Sequence, residues 1–444
     1  MLKNILFVLL FFSLLSCDKR VENYQQVASD PTYLHNAQQK LTDIMVHDIF
    51  SPPVASRIYM YANVAAYEAL IPQYSDYQSL ANQIRDLTPS PKPDPNQEYC
   101  FPLASLKAYL SVGKTLTFSL DTLNDYENKL YKHFKDILPD EIYNCSLVFG
   151  EKIANHILDF SKKDNYKQTR GFRYTLSGKA GEWSPTPPAY ADAVEPKWMT
   201  IRPLALDSAG QFLPPRPPVF SKDKKSEFYK EVLEVYEMGK KLTDEQKHIA
   251  SFWDCNPFKV NIVGHVMYAT KKISPGGHWI CIAGDVSKKA NLDLMKTTET
   301  YALVSIGLFD GFITCWDEKY RSVKVRPETY INEFDSNWQP LLQTPPFPEY
   351  PSGHSVVSSA SAVILTHLLG NKFSFTDSTE VRYQIPARSY QSFQQAADEA
   401  SMSRLYGGIH YRSGIEHGAT MGRKVGELVL QKVQTRKQTV VKKF

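Results

Sequence analysis

The chain has 444 residues, 43% of them hydrophobic and 22% charged, so it can bury a core and is not a disordered protein. Its formal net charge is +4, yet the last fourteen residues alone supply Lys432, Arg436, Lys437, Lys442 and Lys443 with no acid. A nucleic-acid binder spreads basic charge over a face, so that class is excluded, and residues 435–444 read as a basic, solvated and frayed tail. No internal apolar run is long enough to cross a bilayer, which excludes a multi-span membrane protein.

Residues 1–16 combine a positive Lys3 with a short apolar run from Ile5 to Leu15, the pattern of a secretory signal peptide. Leu14-Leu15-Ser16-Cys17 fits a bacterial lipobox, in which the cysteine is lipidated and becomes the first residue. The mature chain is therefore expected to be an exported cell-envelope lipoprotein, facing the periplasm or the cell surface. Its only membrane association would be the acyl anchor on Cys17. Cys100, Cys145, Cys255, Cys281 and Cys315 are odd in number, widely spaced and without CxxC pairs. That argues against a zinc site or a full disulfide framework and for buried thiols.

Apolar residues recur at helical spacing from Ala55 to Leu70, Leu103 to Thr115, Tyr126 to Ile137 and Ile142 to Phe160. Thr243 followed by Gln246 predicts a capping box opening a helix toward Trp253. Strand-like alternation is scarce, so the expected fold class is all-α. Thr88 to Pro102 reads as a loop. Ser184 to Phe220 holds nine prolines and cannot be a helix; a loop of that length is usually functional or wraps the surface. It joins an N-terminal helical half, residues 17–230, to a C-terminal helical bundle, residues 231–434. The two are not expected to be independent domains.

Three segments of the C-terminal half carry chemistry. In the first, Lys319 and Arg326 are spaced two turns apart on one helix face, with Pro327 biasing Arg326 out of helical geometry toward the helix end. In the second, Ser352-Gly353-His354 opens a helix that runs to Gly370, so free N–H groups and the dipole form an anion cradle there. Gly353 lets the backbone approach closely, Ser352 adds a hydroxyl, and His354 titrates near neutrality. In the third, Arg404 and His410 straddle Gly407-Gly408, which should break the preceding helix and aim both side chains at one point. Three cations, a helix N-terminus and two histidines suit a compact tetrahedral oxyanion. His278, on a Gly-rich turn, reads as a packing histidine and His417 as structural; Asp254 is a candidate partner for an active-site arginine.

Taken together, KxxxxxxRP, PSGH and SRxxxxxH resemble the signature shared by type-2 phosphatidic acid phosphatases, bacterial acid phosphatases and vanadium-dependent haloperoxidases, matched in full over residues 319–410. The resemblance implies an all-α helical bundle with the oxyanion site in the C-terminal bundle. It implies that Lys319, Arg326, Ser352, Gly353 and Arg404 bind the oxyanion. His410 would be the metal ligand of a haloperoxidase or the nucleophile of a phosphatase, and His354 the general acid or base. Lys319 is also implied in catalysis, polarising the bound peroxide. Many members carry an Asp four residues after the second histidine; here that position is Gly414, and a backbone carbonyl or Glu416 is expected to orient His410 instead.

The flanking residues favour one branch. Phe347 in PPFPEYPSGH and Trp316, three residues before Lys319, resemble haloperoxidase positions beside the oxyanion, and Phe258 is a candidate for the pocket entrance. His47 to Ala69 and the Pro-rich region resemble exported bacterial haloperoxidases, nearest to the vanadium iodoperoxidases. The implied cofactor is vanadate and the implied substrates are hydrogen peroxide and a halide, iodide first and bromide second. An acid or lipid phosphatase working through phospho-histidine is the alternative enzyme, and a non-catalytic nutrient-binding lipoprotein is a third class that needs no such residue set.

Overall fold

A computed structural model describes residues 24–263 and 265–437. The signal peptide, Cys17 and residues 438–444 of the tail lie outside the described residues. The N-terminal half contains α1 (Tyr24–Ala28), α2 (Thr32–His47), α3 (Pro52–Leu70), α4 (Phe101–Leu116), α5 (Asp121–Ile137), α6 (Asp140–Ser161) and the short α7 (Tyr166–Thr169). The second half contains α8 (Glu227–Lys240), α9 (Asp244–Phe252), a hairpin of β1 (Val260–Val263) and β2 (Val266–Ala269), α10 (Pro275–Lys289), α11 (Leu294–Ser322) and α12 (Pro327–Ile331). It ends with α13 (Gly353–Leu369), a small antiparallel pair of β3 (Phe375–Asp377) and β4 (Arg388–Tyr390), α14 (Phe393–Tyr406) and α15 (Arg412–Lys432). The four helices expected from periodicity are α3, α4, α5 and α6. The Thr243–Gln246 capping box forms with both of its hydrogen bonds.

The two central helices are α3 and α11. Every residue of α3 is buried, as expected for a helix apolar on all sides. Two of its buried polar side chains find partners, Arg57 Nε donating to Asp164 at 2.6 Å and Asn63 Nδ2 to Ser305 Oγ at 2.9 Å. Residues of both halves, Ile58 and Val64 with Val304 and Leu308 among them, share one hydrophobic cluster. The halves are thus one core, and the boundary drawn at 230/231 falls inside α8. No helix among the described residues is long and apolar enough to cross a membrane. The described cysteines are all free thiols, with Cys100, Cys255 and Cys315 buried.

The Pro-rich segment is irregular apart from a 3-10 turn at Trp198–Thr200, and it wraps onto α11. The N–H groups of Leu204, Ala205 and Leu206 converge on the buried Asp310 carboxylate at 2.7–3.0 Å. The Val194 carbonyl accepts from the Trp316 indole at 3.1 Å and the Tyr320 hydroxyl at 2.7 Å. The start of the tail is anchored rather than frayed. Arg436 pairs with Glu299 at 2.8 Å and Lys437 N–H donates to Asp76 O at 2.9 Å. Glu299 is a buried carboxylate that needs a cation, and Arg436 is the cation within reach.

Helices α13 and α15 approach closely because α15 carries glycine at every fourth position from Gly414 to Gly426. A Cβ on Gly418 would stand 2.9 Å from Ser352 O, one on Gly422 2.1 Å from Val356 O and one on Gly426 2.8 Å from Ala360 O. Gly422→Val therefore forces the helices apart, and overpacking of this kind costs about 1–3 kcal/mol. A lowered midpoint in thermal or urea unfolding is the expected result; an unchanged midpoint would mean that the helices are not in contact there.

Candidate active site

Ser352 is the N-cap of α13, and its hydroxyl accepts from Ser355 N–H at 3.3 Å. That places Gly353 and His354 in the first turn, where backbone N–H groups lack helical partners. Ser352 N–H donates to Gly414 O at 2.8 Å, tying the cradle to α15. Helix α14 ends at Tyr406, as the glycine pair predicts, with Gly408 at φ +75°. Ile409 and His410 then turn back toward α13. Lys319 and Arg326 do not share a helix. Helix α11 stops at Ser322 because Val323 is left-handed, φ 47°, and its carbonyl pairs with Trp183 N–H of the wrapping segment at 2.8 Å. Arg326 is the extended residue before α12, and the break turns its side chain inward.

Around one buried point the structure brings together Arg326, His354, Arg404 and His410. A cavity of about 30 Å³ is lined by His354, Arg404, His410 and Gly353, with Trp316, Phe347 and Phe258 among its apolar walls. All three aromatic candidates therefore face the site. Trp316 and Phe347 pack with ring centroids 5.0 Å apart. A wider groove of about 650 Å³ runs between the Pro-rich segment and the end of α11 but holds none of the motif residues.

The tautomer of His410 follows from its partners. Nε2 lies 3.1 Å from Arg326 Nη1, and a guanidinium only donates, so Nε2 accepts. The ring proton is then on Nδ1, which donates to Glu349 Oε1 at 2.7 Å. The orienter is Glu349, not Glu416, which pairs with Arg412 at 3.6 Å. Gly414 explains the exchange: a Cβ there would lie 2.3 Å from Glu349 Oε1. The carboxylate that many members carry at that position is supplied from the preceding loop, and the glycine makes room for it. Sequence reasoning missed Glu349, although it lies within PPFPEYPSGH; the signal was an acid beside the motif together with the small residue at 414.

Charge and burial set the rest. Burial, followed by the nearby Arg326, Lys319 and Arg404, pushes the His410 imidazolium well down. His354 is pushed well down by burial and then by Arg404, His410 and His278. Both rings are therefore neutral. Burial raises the Glu349 carboxyl, against the pull of Lys324, Arg326 and Lys319. Burial pushes the Lys319 ammonium down to about 7. Its three protons go to the carbonyls of Pro348, Glu349 and Pro351 at 2.9, 3.0 and 2.5 Å, so Lys319 clamps the loop that delivers Glu349 and Ser352.

Arg404 donates to Trp253 O at 2.6 Å and Ser403 Oγ at 2.9 Å. Asp254 pairs with Lys272 at 2.7 Å instead of with Arg404. His417 Nδ1 lies 2.7 Å from the Tyr350 hydroxyl, a structural contact as expected.

At the site three buried polar atoms have no hydrogen-bond partner: Arg326 Nη2, Glu349 Oε2 and His354 Nε2. A buried polar atom left unsatisfied is costly. Lys319, Arg326 and Arg404 gather around the site while the nearby Asp254 is paired with Lys272, so the site suits an anion bearing several acceptor oxygens.

Comparison with known proteins agrees. Residues 299–439 match the family model described as the VCPO second helical-bundle domain. A bacterial vanadium-dependent iodoperoxidase is 47% identical in sequence, with a TM-score of 0.87, over 92% of this chain and 98% of that one. A bacterial vanadium-dependent chloroperoxidase in its holo form shares the fold at 17% identity, TM-score 0.66, over 87% of this chain and 93% of that one. Its apo form gives a TM-score of 0.65 at the same identity, over 86% and 94%. No curated protein matches the chain. A buried oxyanion site framed by Arg326, Arg404 and a tautomer-fixed His410, together with near-complete coverage of a relative at 47% identity, places the chain in the vanadium-dependent haloperoxidase family, a family of enzymes whose cofactor is vanadate.

Proposed function

We propose that this haloperoxidase uses iodide as its preferred halide, with bromide a poorer substrate. The observation that carries the reading is the 47% identity to an iodoperoxidase over nearly its whole length. Iodide is also the easier of the two to oxidise. The residues fit vanadate: Glu349 fixes the tautomer that leaves a lone pair on His410 Nε2, Arg326 Nη2 is a donor without an acceptor, and His354 Nε2 has no protein partner. Bound vanadate supplies a Lewis acid that activates hydrogen peroxide toward a halide.

The remaining work falls to the protein. His410 holds the cofactor through Nε2 while Glu349 holds Nδ1–H. Arg326, Arg404 and the Ser352–Gly353 cradle bind and orient the oxyanion. His354, kept neutral, takes a proton from peroxide at Nε2 and can return it to the leaving oxygen. Lys319 acts first as a clamp on the loop, and exchange of one carbonyl partner would let its ammonium reach the oxyanion. Trp316, Phe347 and Phe258 keep bulk water out, which strengthens each charge interaction inside.

The test is a titration of metal-free protein with vanadate, following iodide and bromide oxidation in parallel. Saturable vanadate-dependent turnover, faster with iodide, is the expected result. Equal or faster bromide turnover would overturn the halide assignment. Vanadate-independent hydrolysis of a phosphomonoester without peroxidase turnover would overturn the mechanism.

We also propose export and lipid attachment at Cys17, on the strength of the run Leu14-Leu15-Ser16-Cys17. Cys17→Ala is expected to abolish incorporation of a labelled fatty acid and release the protein from the membrane fraction; retained label would overturn the assignment.

A further inference from the structure

A second cluster of chemically active side chains adjoins the oxyanion site, whose cavity Cys255 also lines, and takes no part in the scheme above. His278 does not sit on a turn: Ser274 caps α10, and His278 lies in its first helical turns, fully buried. Its Nε2 lies 2.7 Å from Asp377 Oδ2 on β3. Asp377 Oδ1 is held in turn by Thr379 N–H at 3.0 Å. On the opposite edge, Nδ1 faces Cys255 Sγ at 3.3 Å and Glu380 Oε1 at 3.5 Å. Trp253 stacks on the ring with centroids 4.5 Å apart. Cys255 is 1% exposed and Glu380 3%.

The donor count is what needs explaining. Asp377 is a carboxylate acceptor, so Nε2 carries a proton; although burial opposes it, Asp377 and Cys255 hold the imidazolium well above its usual range, and release of the Nδ1 proton on metal binding would present a lone pair there. A thiol sulfur and a carboxylate oxygen converge on that lone pair. Glu380 Oε1 is buried and has no hydrogen-bond partner. Three electron-pair donors of three kinds therefore point at one small volume, each atom within 4.8 Å of the others.

Tetrahedral coordination with a Zn–S bond of about 2.3 Å and Zn–N and Zn–O bonds of about 2.0–2.2 Å sets neighbouring donor atoms roughly 3.4–3.6 Å apart. The observed 3.5 Å between Nδ1 and Glu380 Oε1 falls in that range, and the 3.3 Å between Nδ1 and Cys255 Sγ lies just below it. A carboxylate on the far ring nitrogen is the usual support of a metal-binding histidine, because it fixes the tautomer and raises ligand basicity. Mixed thiolate, imidazole and carboxylate donors suit a borderline divalent ion.

We propose that Cys255 Sγ, His278 Nδ1 and Glu380 Oε1 bind a zinc ion, with Asp377 holding His278 from behind and a fourth position left for water. Binding releases the thiol proton. The ion would pin the Trp253–Phe258 segment to α10 and the β3 region. That segment provides the carbonyl that holds Arg404 and the Phe258 wall of the cavity, so the metal would brace the oxyanion site without entering the reaction.

The experiment is elemental analysis of the full chain purified without chelators, followed by cobalt titration of the chelator-treated protein. About one zinc per chain is expected, and cobalt should give a thiolate-to-metal charge-transfer band in the near ultraviolet. Both should be lost in Cys255→Ser and Glu380→Gln and kept in His410→Ala, which separates this site from the vanadate site. A rise in the wild-type melting temperature on adding zinc, absent in the variants, keeps the test valid if the variants are less stable. Wild-type protein with no zinc, no cobalt band and no thermal shift would overturn the proposal and leave a protonated His278 bridging Asp377 and Glu380. Zinc retained in both variants, or lost in His410→Ala, would overturn the ligand assignment.

Discussion

His410→Ala is expected to lower vanadate-dependent iodide oxidation by about 10³-fold or more, because groups that act as one unit cannot be removed singly without losing most of the effect. The reason is specific to this ring. The ring is fixed at both nitrogens, Nε2 lying 3.1 Å from Arg326 Nη1 and Nδ1–H donating to Glu349 Oε1 at 2.7 Å. Equilibrium dialysis should show that vanadate binding itself is lost. His354→Ala makes the informative contrast. General acid–base groups contribute about 10²–10⁴-fold, so turnover should fall by that order while vanadate still binds. If His410→Ala kept vanadate and His354→Ala lost it, the two roles would have to be exchanged.

The second large effect concerns Glu349 and Gly414. Removing a partner that orients a metal ligand costs about 10–100-fold, so Glu349→Ala should lose activity in that range. Gly414→Asp alone should also be impaired, because even its Cβ would come within 2.3 Å of Glu349 Oε1. The double variant, Glu349→Ala with Gly414→Asp, should recover activity above either single change. In it the carboxylate would reach His410 from α15. Initial rates at saturating vanadate, with vanadate affinities measured in parallel, decide the matter. Simple additivity of the two losses would show that Glu349 does not orient His410.

How much of this was legible beforehand depended on how local the signal was. Periodicity found α3 to α6, and Thr243 with Gln246 found the start of α9, since both signals live within a few residues. The cradle at Ser352-Gly353-His354 and the break at Gly407-Gly408 were readable for the same reason. Pro327 announced that Arg326 leaves helical geometry, but the stop of α11 at Ser322, where the Val323 carbonyl pairs with the distant Trp183, was not readable. Asp254 could be placed near the site, but the active-site arginine expected as its partner was wrong: Lys272, beyond the β1–β2 hairpin, pairs with it. Glu349 was visible as a residue and invisible as an orienter, since its destination exists only once α15 has docked on α13. The Pro-rich segment was recognisable from its prolines as a long loop, either functional or wrapping the surface. That its Val194 carbonyl would hold the Trp316 indole was set by tertiary contact alone.

The anchored start of the tail has a consequence for how the chain reaches its final state. The Tyr67 hydroxyl in the first third donates to the carbonyl of Thr435 across 368 positions of sequence, and Tyr77 bridges to Arg436. Contacts of such separation must await closure of nearly the whole polypeptide, which makes them late and slow to form. A chain delivered from its N-terminus therefore cannot finish its first helices as they emerge. The surface of α3 that α11 will cover stays exposed until more than two hundred further residues arrive. Folding here is an event of the completed polymer, not of its growing end, and the interval before it is when such a molecule is most open to proteolysis and misassociation.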